Sequence, residues 1–219
     1  PIGDQSRSSM PSLFDYHENL VQYAVTLAPG TTEARHGTWW LNHNSVDGVK
    51  ITSNLFGDLL PLPDAPLPPT ELSYHATGVG AFFARSDWTT DATWLAVVAG
   101  RYDQSHAHQD QGAFTLYRRG WQAVTPNIWS KSGVHQEVGV HNILRFERPD
   151  GTTIPQSRSA SLRSPLTVDR GPDGAVSLVA DLSNAYWYNK ALVQQWTRRY
   201  EYHGDTLRVS DSCTVASGV

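Results

Sequence analysis

The chain has 219 residues, of which 39% are hydrophobic and 17% charged, so it is long enough for one large β domain and too apolar for a disordered protein. Its net charge of -4 argues against nucleic acid binding, which usually requires a basic excess. The single cysteine, Cys213, excludes a disulfide within the chain and a cysteine-cluster metal site. No apolar run approaches the roughly 20 residues of a membrane-spanning helix.

Two short helices are predicted near the N-terminus. Leu20, Ala24 and Leu27 recur at helical spacing, and the Pro29-Gly30 pair ends the pattern, which predicts a helix over residues 12–29. A second short helix is predicted over residues 32–41.

A proline-rich segment separates these helices from the rest of the chain. Five prolines fall within residues 59–70, which excludes a regular helix or a central strand and indicates an extended linker. The predicted organisation is a helical segment over 1–58, a linker over 59–72 and an antiparallel β-sandwich over 73–219. The last predicted strand has no element after it, so we expect the β domain to be truncated at its C-terminus.

Beyond the linker the apolar residues recur with a period of two. Strands are predicted at residues 94–99, 113–117, 122–125, 142–147, 176–182, 195–202 and 206–215. Short turns rich in glycine, aspartate and proline join several of them, which indicates antiparallel pairing. The predicted fold class is mainly β: a large antiparallel β-sandwich preceded by short helices.

The most informative motif is His-Ala-His-Gln-Asp at residues 106–110. On an extended backbone His106, His108 and Asp110 project from one face, because side chains alternate along a strand. Imidazole is a common zinc ligand, and His141 or His135 could supply a further one. The alternative is a chance motif whose histidines only form hydrogen bonds, since the chain has nine histidines.

A cupin would use the same residue types. Cupins bind a metal through a His-x-His motif, a glutamate a few residues later and a more distant histidine. Residues 109–113 contain no glutamate, which weakens this interpretation. A cupin would be a metal-dependent oxygenase or isomerase, or a sugar-binding module.

The motif belongs to a longer ordered pattern. It comprises GAFFARSDW at 80–88, DATWLAVVAG at 91–100, the His-x-His motif and the pair His141-Asn142. This pattern resembles the C-terminal region of the heparinase II/III superfamily of polysaccharide lyases, which also includes exolytic alginate lyases. The resemblance implies an (α/α) toroid followed by an antiparallel β domain, with only the tail of the toroid in residues 1–58.

The resemblance also implies a reaction, β-elimination at a uronic acid of an anionic polysaccharide. Such an enzyme must neutralise the C5 carboxylate, remove the C5 proton and protonate the departing C4 oxygen. His106 matches the family histidine that faces the substrate, and it is therefore the predicted catalytic residue. The catalytic tyrosine of these lyases lies upstream of the His-x-His motif and is not assigned to a residue of this chain.

Zinc is the cofactor that the resemblance implies. His108 and His141 match two of the family's zinc ligands. The third ligand is an aspartate in the family, whereas Thr125 stands at the matching position here, and a hydroxyl is a poor substitute for a carboxylate. Asp110, His135 or Glu137 would have to complete the site.

Aromatic and basic residues supply candidate substrate contacts. Trp129 is predicted to stack on a sugar ring, and Lys131 is predicted to hold a carboxylate or sulfate group. Tyr186, Trp187 and Tyr188 are further aromatic candidates, for which packing is the favoured role. Arg118 and Arg119 are favoured as solvated turn residues, and Arg198 and Arg199 must point to opposite faces of one strand.

The sequence thus predicts a polysaccharide lyase whose partner is an anionic polysaccharide or oligosaccharide. By the same resemblance the protein is expected in the periplasm or outside the cell. A non-catalytic carbohydrate-binding sandwich descended from a lyase is the remaining alternative, favoured by Thr125 and by the shortness of the helical part.

Overall fold

The computed structural model describes residues 15–44, 65–103, 107–124 and 135–219. Contacts divide the chain into two compact units, of which the smaller ends at Glu71 and the larger continues from Leu72 to Val219. Part of the predicted linker, residues 59–64, lies outside the described residues, and residues 65–72 form neither helix nor strand. Among the described helices, none is long and apolar enough to cross a membrane.

The smaller unit contains helix α1, Asp15–Leu27, and helix α2, Thr32–His43, as the sequence predicts. The buried side of α1 is formed by Val25, which packs on α2: a Cβ at Gly37 would lie 2.5 Å from Val25 Cγ2. The apolar stripe used for the prediction points the other way, because Leu20 and Leu27 are exposed. The helix was predicted correctly and its buried face was not.

Thr31 is the N-cap of helix α2, and its Oγ1 accepts a hydrogen bond from the Ala34 N–H at 3.1 Å. This cap satisfies one of the otherwise unpaired N–H groups of the first turn. The extended segment that begins at residue 65 is tied to α2 through Arg35. Arg35 Nε donates to the Ala65 carbonyl at 3.2 Å, and the Leu67 N–H donates to the Arg35 carbonyl at 3.1 Å.

The larger unit consists of two antiparallel sheets. The first sheet contains, in spatial order, β1 Ser73–Ala76, β2 Ala81–Arg85, β3 Trp94–Val98, β4 Phe114–Tyr117 and β5 Trp121–Ala123. The second contains, in spatial order, β6 Leu166–Arg170, β7 Val176–Asp181, β8 Val193–His203 and β9 Thr206–Val215. The predicted mainly β fold class is therefore confirmed.

One hydrophobic core joins the inner faces of the two sheets. Phe82 of β2 lies opposite Val97 of β3, and both are fully buried. Leu178 of β7 and Trp196 of β8 contribute to the same core from the second sheet. Because side chains alternate along each strand, every second residue faces this core, and the two sheets form a sandwich.

Two glycines of the sequence pattern allow a close backbone contact at the end of the first sheet. Gly80 has a φ of +69°, and a Cβ there would lie 2.7 Å from the Gly100 Cα. The Ala99 N–H donates to the Gly80 carbonyl at 2.8 Å across this contact. A side chain at either glycine would force β2 and β3 apart.

Two expectations from the sequence are wrong. The strand predicted over 142–147 is absent, and only a single bridge joins Glu147 to Thr153. The reason is that the side chain of Asn142, rather than its backbone, pairs with the neighbouring strand. The second concerns Cys213, which as a small apolar residue is predicted to be buried. It is exposed, because it lies on the edge strand β9.

Candidate functional site

His108 lies in the loop between β3 and β4, and the described parts of this loop, residues 99–103 and 107–113, contain no strand. The condition under which His106, His108 and Asp110 would share one face of a strand is therefore not met by residues 107–113, and His106 lies outside the described residues. The loop closes in a turn, in which the Ala113 N–H donates to the Asp110 carbonyl and the Gly112 N–H to the Val98 carbonyl, each at 2.7 Å.

Gly112 is required at this turn for two reasons. Its φ is +94°, in the left-handed region that favours glycine. A Cβ would also lie 2.6 Å from Leu182 Cδ1 and 3.1 Å from Trp196 Cη2. The loop backbone therefore rests directly on the hydrophobic core.

The structure brings His108 and His141 together. Their ring centroids are 5.2 Å apart, with an angle of 50° between the ring planes. His108 is buried and His141 is partly buried, directly after the 3₁₀ helix Val138–Val140. The two histidines are 33 positions apart in the chain, so the pair depends on the fold.

Burial keeps the second histidine neutral. It lowers the pKa of His141 to about 4, assisted by the charge of His108 and opposed by Glu137. His141 Nε2 is buried and has no hydrogen-bond partner among the described residues. A neutral imidazole nitrogen with a free lone pair is what metal binding requires.

Asp110 belongs to the same group of side chains. Burial raises the pKa of its carboxyl to about 6, while the positive charge of His108 acts in the opposite direction. Desolvation disfavours the carboxylate form, and a neighbouring cation favours it. Asp110 and His108 are therefore electrostatically linked, as expected for residues two apart in this loop.

Arg198 of β8 connects the two histidine-bearing segments. Its Nη1 donates to the Gly112 carbonyl at 2.9 Å and to the Asn142 carbonyl at 2.7 Å. The Tyr200 hydroxyl donates to the same Gly112 carbonyl. One guanidinium thus holds the segment that follows His108 and the segment that contains His141.

Two side-chain amides provide further support by pairing with loop backbone. Asn142 accepts from the Phe114 N–H at 3.0 Å and donates to the Phe114 carbonyl at 2.8 Å. Gln156 makes the same two-point contact with Gln111, at 3.0 and 2.9 Å. These contacts satisfy backbone groups that a neighbouring strand would otherwise pair.

Thr125, His135 and Glu137 were also considered for the metal site from the sequence. Thr125 lies outside the described residues. His135 and Glu137 pair with each other, with Nδ1 and Oε1 3.5 Å apart, and both are about half exposed. Within the described parts of the chain, no group of three or more histidine, cysteine, aspartate or glutamate side chains is arranged to hold a metal ion.

The predicted substrate contacts divide into two groups. Trp129 and Lys131 lie outside the described residues. Among the further aromatic candidates, Tyr186 is fully buried in the core, while Trp187 and Tyr188 are exposed.

Two sets of neighbouring arginines were considered from the sequence, one in a turn and one in a strand. Arg118 forms an ion pair with Asp205, and Arg119 with Asp91 at 3.1 Å, both at the surface. Of the strand arginines, Arg198 is buried and Arg199 is exposed. Sequence reasoning recognised that only one could face inward, but it missed that Arg198 supports the histidine loop.

No protein-family model matches the chain, and the comparison with curated proteins gave no significant match. Among solved structures, two of a heparinase III, one of them with methylated lysines, align with 99% of this chain at 14% identity and a TM-score of 0.62. The heparan sulfate lyase HepC from Pedobacter heparinus aligns with 97% of it at 12% identity and a TM-score of 0.63.

The chain spans 30% and 31% of the length of the two heparinase III structures and 29% of the heparan sulfate lyase. At these identities the likeness describes the fold of the aligned part. The chain therefore has a heparinase-like fold, as the sequence pattern of residues 80–146 predicts.

Proposed function

We propose that the chain carries the β-domain half of the active site of a polysaccharide lyase that cleaves uronic-acid-containing anionic glycans. The observation that carries the proposal is the His108–His141 pair, held side by side on a heparinase-like fold. His106, the proposed catalytic residue, precedes His108 by two positions in the sequence.

The proposed reaction is β-elimination across the C4–C5 bond of a uronate. A base removes the C5 proton, the C5 electron pair forms the C4–C5 double bond, and the C4 oxygen leaves with a proton from an acid. The carboxylate at C5 opposes the first step, so a cationic or hydrogen-donating group must lie against it. We assign this role, or the transfer of the C5 proton, to His106.

We further propose that His108 and His141 bind zinc. The support is the proximity of the two rings and the buried, unpartnered His141 Nε2. A bound zinc would supply a structural cross-link between the two loops, which the side chains alone achieve only through hydrogen bonds. Asp110 is the candidate third ligand within the described loop.

The strand order speaks against a cupin. A cupin is a jelly roll, in which Greek-key connections separate consecutive strands. The described strands of this chain lie in sequence order within each sheet, from β1 to β5 and from β6 to β9. The His-x-His motif therefore lies on a different architecture from that of a cupin.

The proposed substrate is an anionic glycan such as heparan sulfate, the substrate named for one of the similar structures. By the same likeness we propose that the protein acts in the periplasm or outside the cell. These assignments follow from the lyase proposal and share its test.

The test measures metal content and glycan cleavage together. Purified wild-type chain is expected to hold about one zinc ion, by elemental analysis, and His108→Ala and His141→Ala are each expected to lose it. His203→Ala is the control, since His203 is exposed in the β8–β9 turn. Retained zinc in both variants would overturn the metal assignment.

Cleavage is measured on protein that carries both halves of the proposed active site, by the ultraviolet absorbance of the unsaturated uronate product, with heparan sulfate and alginate as substrates. Product formation that is lost in His106→Ala supports the lyase. Glycan binding without product would instead favour the non-catalytic carbohydrate-binding sandwich.

A further inference from the structure

A groove of about 310 Å³ lies beside the histidine loop. It is lined by Gln109, the residue after His108, by the segment 155–158 and by the end of the 3₁₀ helix Ser183–Asn189. Gln109 Nε2 donates to the Gln156 carbonyl, which fixes the base of this 155–158 groove. Its volume is at the lower end of the roughly 300–1,000 Å³ of small-molecule sites, which suits a single sugar ring.

The two walls of the 155–158 groove are tied together by hydrogen bonds. The Ser157 N–H donates to the Ala185 carbonyl at 2.5 Å, and the Tyr188 N–H donates to Ser157 Oγ at 3.1 Å. Asn189 Nδ2 donates to the Pro155 carbonyl at 3.2 Å. The groove is therefore formed before any ligand arrives, which lowers the entropic cost of binding.

The exposed side chains of the groove suit an acidic sugar. The Arg158 guanidinium is exposed, lies 5.8 Å from the ring centre of Tyr102, and forms no ion pair with a described residue. The Tyr188 side chain is 67% exposed and offers an aromatic face. Arginine binds carboxylate or sulfate in a two-point contact, and aromatic rings cover the apolar side of a pyranose.

Charge distinguishes this groove from a larger one at the other end of the second sheet. The larger groove, of about 650 Å³, contains Asp169, Glu201 and Asp205 with Arg208 as its arginine. The described residues that line the 155–158 groove include no carboxylate, and Arg158 is the charged one among them. Volume alone would favour the larger groove, whereas a polyanion is repelled there and attracted to the 155–158 groove.

We propose that the 155–158 groove is a binding subsite for one acidic sugar residue of the glycan. Arg158 contacts the carboxylate or sulfate of this sugar, and Tyr188 stacks on its ring. The inference rests on the proposed function, because it takes the ligand to be the glycan that the histidine site acts on. Gln109 lines the groove and follows His108 directly in the chain, so the groove adjoins the loop that carries the proposed histidine site.

The test is a calorimetric titration of the chain with a heparan sulfate tetrasaccharide at low ionic strength. Arg158→Gln is expected to weaken binding about 10-fold, the effect of one charge-assisted contact. Tyr188→Ala is expected to weaken it about 5-fold, through loss of the stacking surface.

Two control variants match these changes. Arg208→Gln removes one positive charge from the carboxylate-rich groove, at a side chain that is 77% exposed. Tyr74→Ala removes a tyrosine that is 67% exposed, the same fraction as Tyr188. Both controls are expected to stay within about two-fold of wild type, since exposed substitutions away from a site have small effects.

The outcomes separate this proposal from the lyase assignment. If Arg158→Gln and Arg208→Gln weaken binding equally, or neither does, the subsite is overturned, and absence of tetrasaccharide binding to the wild-type chain overturns it too. Binding that depends on Arg158 and Tyr188 supports the subsite by itself. If protein that carries both halves of the proposed active site then yields no unsaturated product, the lyase assignment fails while the subsite stands.

Discussion

Arg198 and Asp211 form a two-point ion pair between β8 and β9, with Nε 2.8 Å from Oδ1 and Nη2 2.8 Å from Oδ2. The two residues are directly opposite in the strand register. Burial alone would lower the pKa of Arg198, but the hydrogen bonds and charge of Asp211 reverse this and raise the pKa. The guanidinium is therefore charged while it holds the histidine-bearing segments.

Replacing Arg198 is expected to destabilise the chain strongly. Arg198→Ala leaves the Asp211 carboxylate without a cation, with the Trp196 indole N–H still donating to it, and removes the donors to Gly112 and Asn142, at a cost of about 3–5 kcal/mol in the free energy of unfolding. Arg198→Lys keeps the charge but loses the planar fork, so an intermediate cost is expected. Urea unfolding followed by circular dichroism measures both.

The neighbouring arginine is the control for this prediction. Arg199→Ala removes the same side chain from the exposed face of the same strand. It is expected to change the free energy of unfolding by less than about 0.5 kcal/mol. Equal effects at the two positions would show that the buried network does not stabilise the fold.

Gly112 is expected to tolerate no side chain. Gly112→Ala combines a left-handed backbone with a Cβ 2.6 Å from Leu182 Cδ1, at an expected cost of about 2–4 kcal/mol. Gly151→Ala is the matched control, because its φ is +80° and no atom lies within 4 Å of its Cβ. Gly151→Ala should lower the free energy of unfolding by only about 1–2 kcal/mol, the cost of the left-handed backbone alone. Thermal unfolding measures both variants, and the difference between them is the cost of the clash with Leu182.

The strands of the sandwich could be predicted because their signals are local. β3 is a continuous apolar run and apolar residues alternate along much of β8, while the glycine-containing turns at 118–120 and 203–205 mark the β4–β5 and β8–β9 hairpins. The helices α1 and α2 were predicted for the same reason. The buried face of α1 was not, because Val25 is selected by its contact with Gly37 of the other helix.

The histidine loop could be predicted only in part. The pairing of His108 with His141 came from the resemblance to a family. The loop's irregular backbone was missed, because Asn142 and Gln156 use side-chain amides to replace strand partners 28 and 45 residues away. Arg198 was missed because its contact with Gly112 joins residues 86 apart. Contacts between residues so far apart in the sequence cannot be predicted from the spacing of neighbouring residues.

Two Asp-x-Thr turns provide a test of the surface electrostatics. Hydrogen bonds from the hydroxyl and N–H of Thr89, with one from Ser86, lower the pKa of Asp87 below its usual 3.8. Thr89→Val is expected to raise this pKa toward 3.8. Asp150, whose pKa is lowered in the same way by Thr152, should not change. Carboxyl chemical shifts measured against pH report both groups.

The direction of the pKa shift of Asp87 determines how Thr89→Val changes the stability of the fold with pH. A carboxyl group with a lowered pKa stabilises the fold above its unfolded pKa, and this contribution disappears as the pH falls through the folded value. Thr89→Val should therefore reduce stability at neutral pH and have no such effect in strong acid. If the difference in stability between wild type and Thr89→Val stayed constant across that pH range, the Thr89 hydroxyl would act through packing and not through the pKa of Asp87.

Gln156 is expected to be needed for the structure of the histidine loop. Gln156→Leu leaves the N–H and carbonyl of Gln111 without their partners in a buried site, at an expected cost of about 2–4 kcal/mol. Gln122→Leu is the control, since its amide makes only long contacts at the surface. Hydrogen exchange of the Gln111 amide should become much faster in Gln156→Leu alone. Unchanged exchange would mean that the loop keeps its conformation without the glutamine, and that Arg198 suffices to hold it.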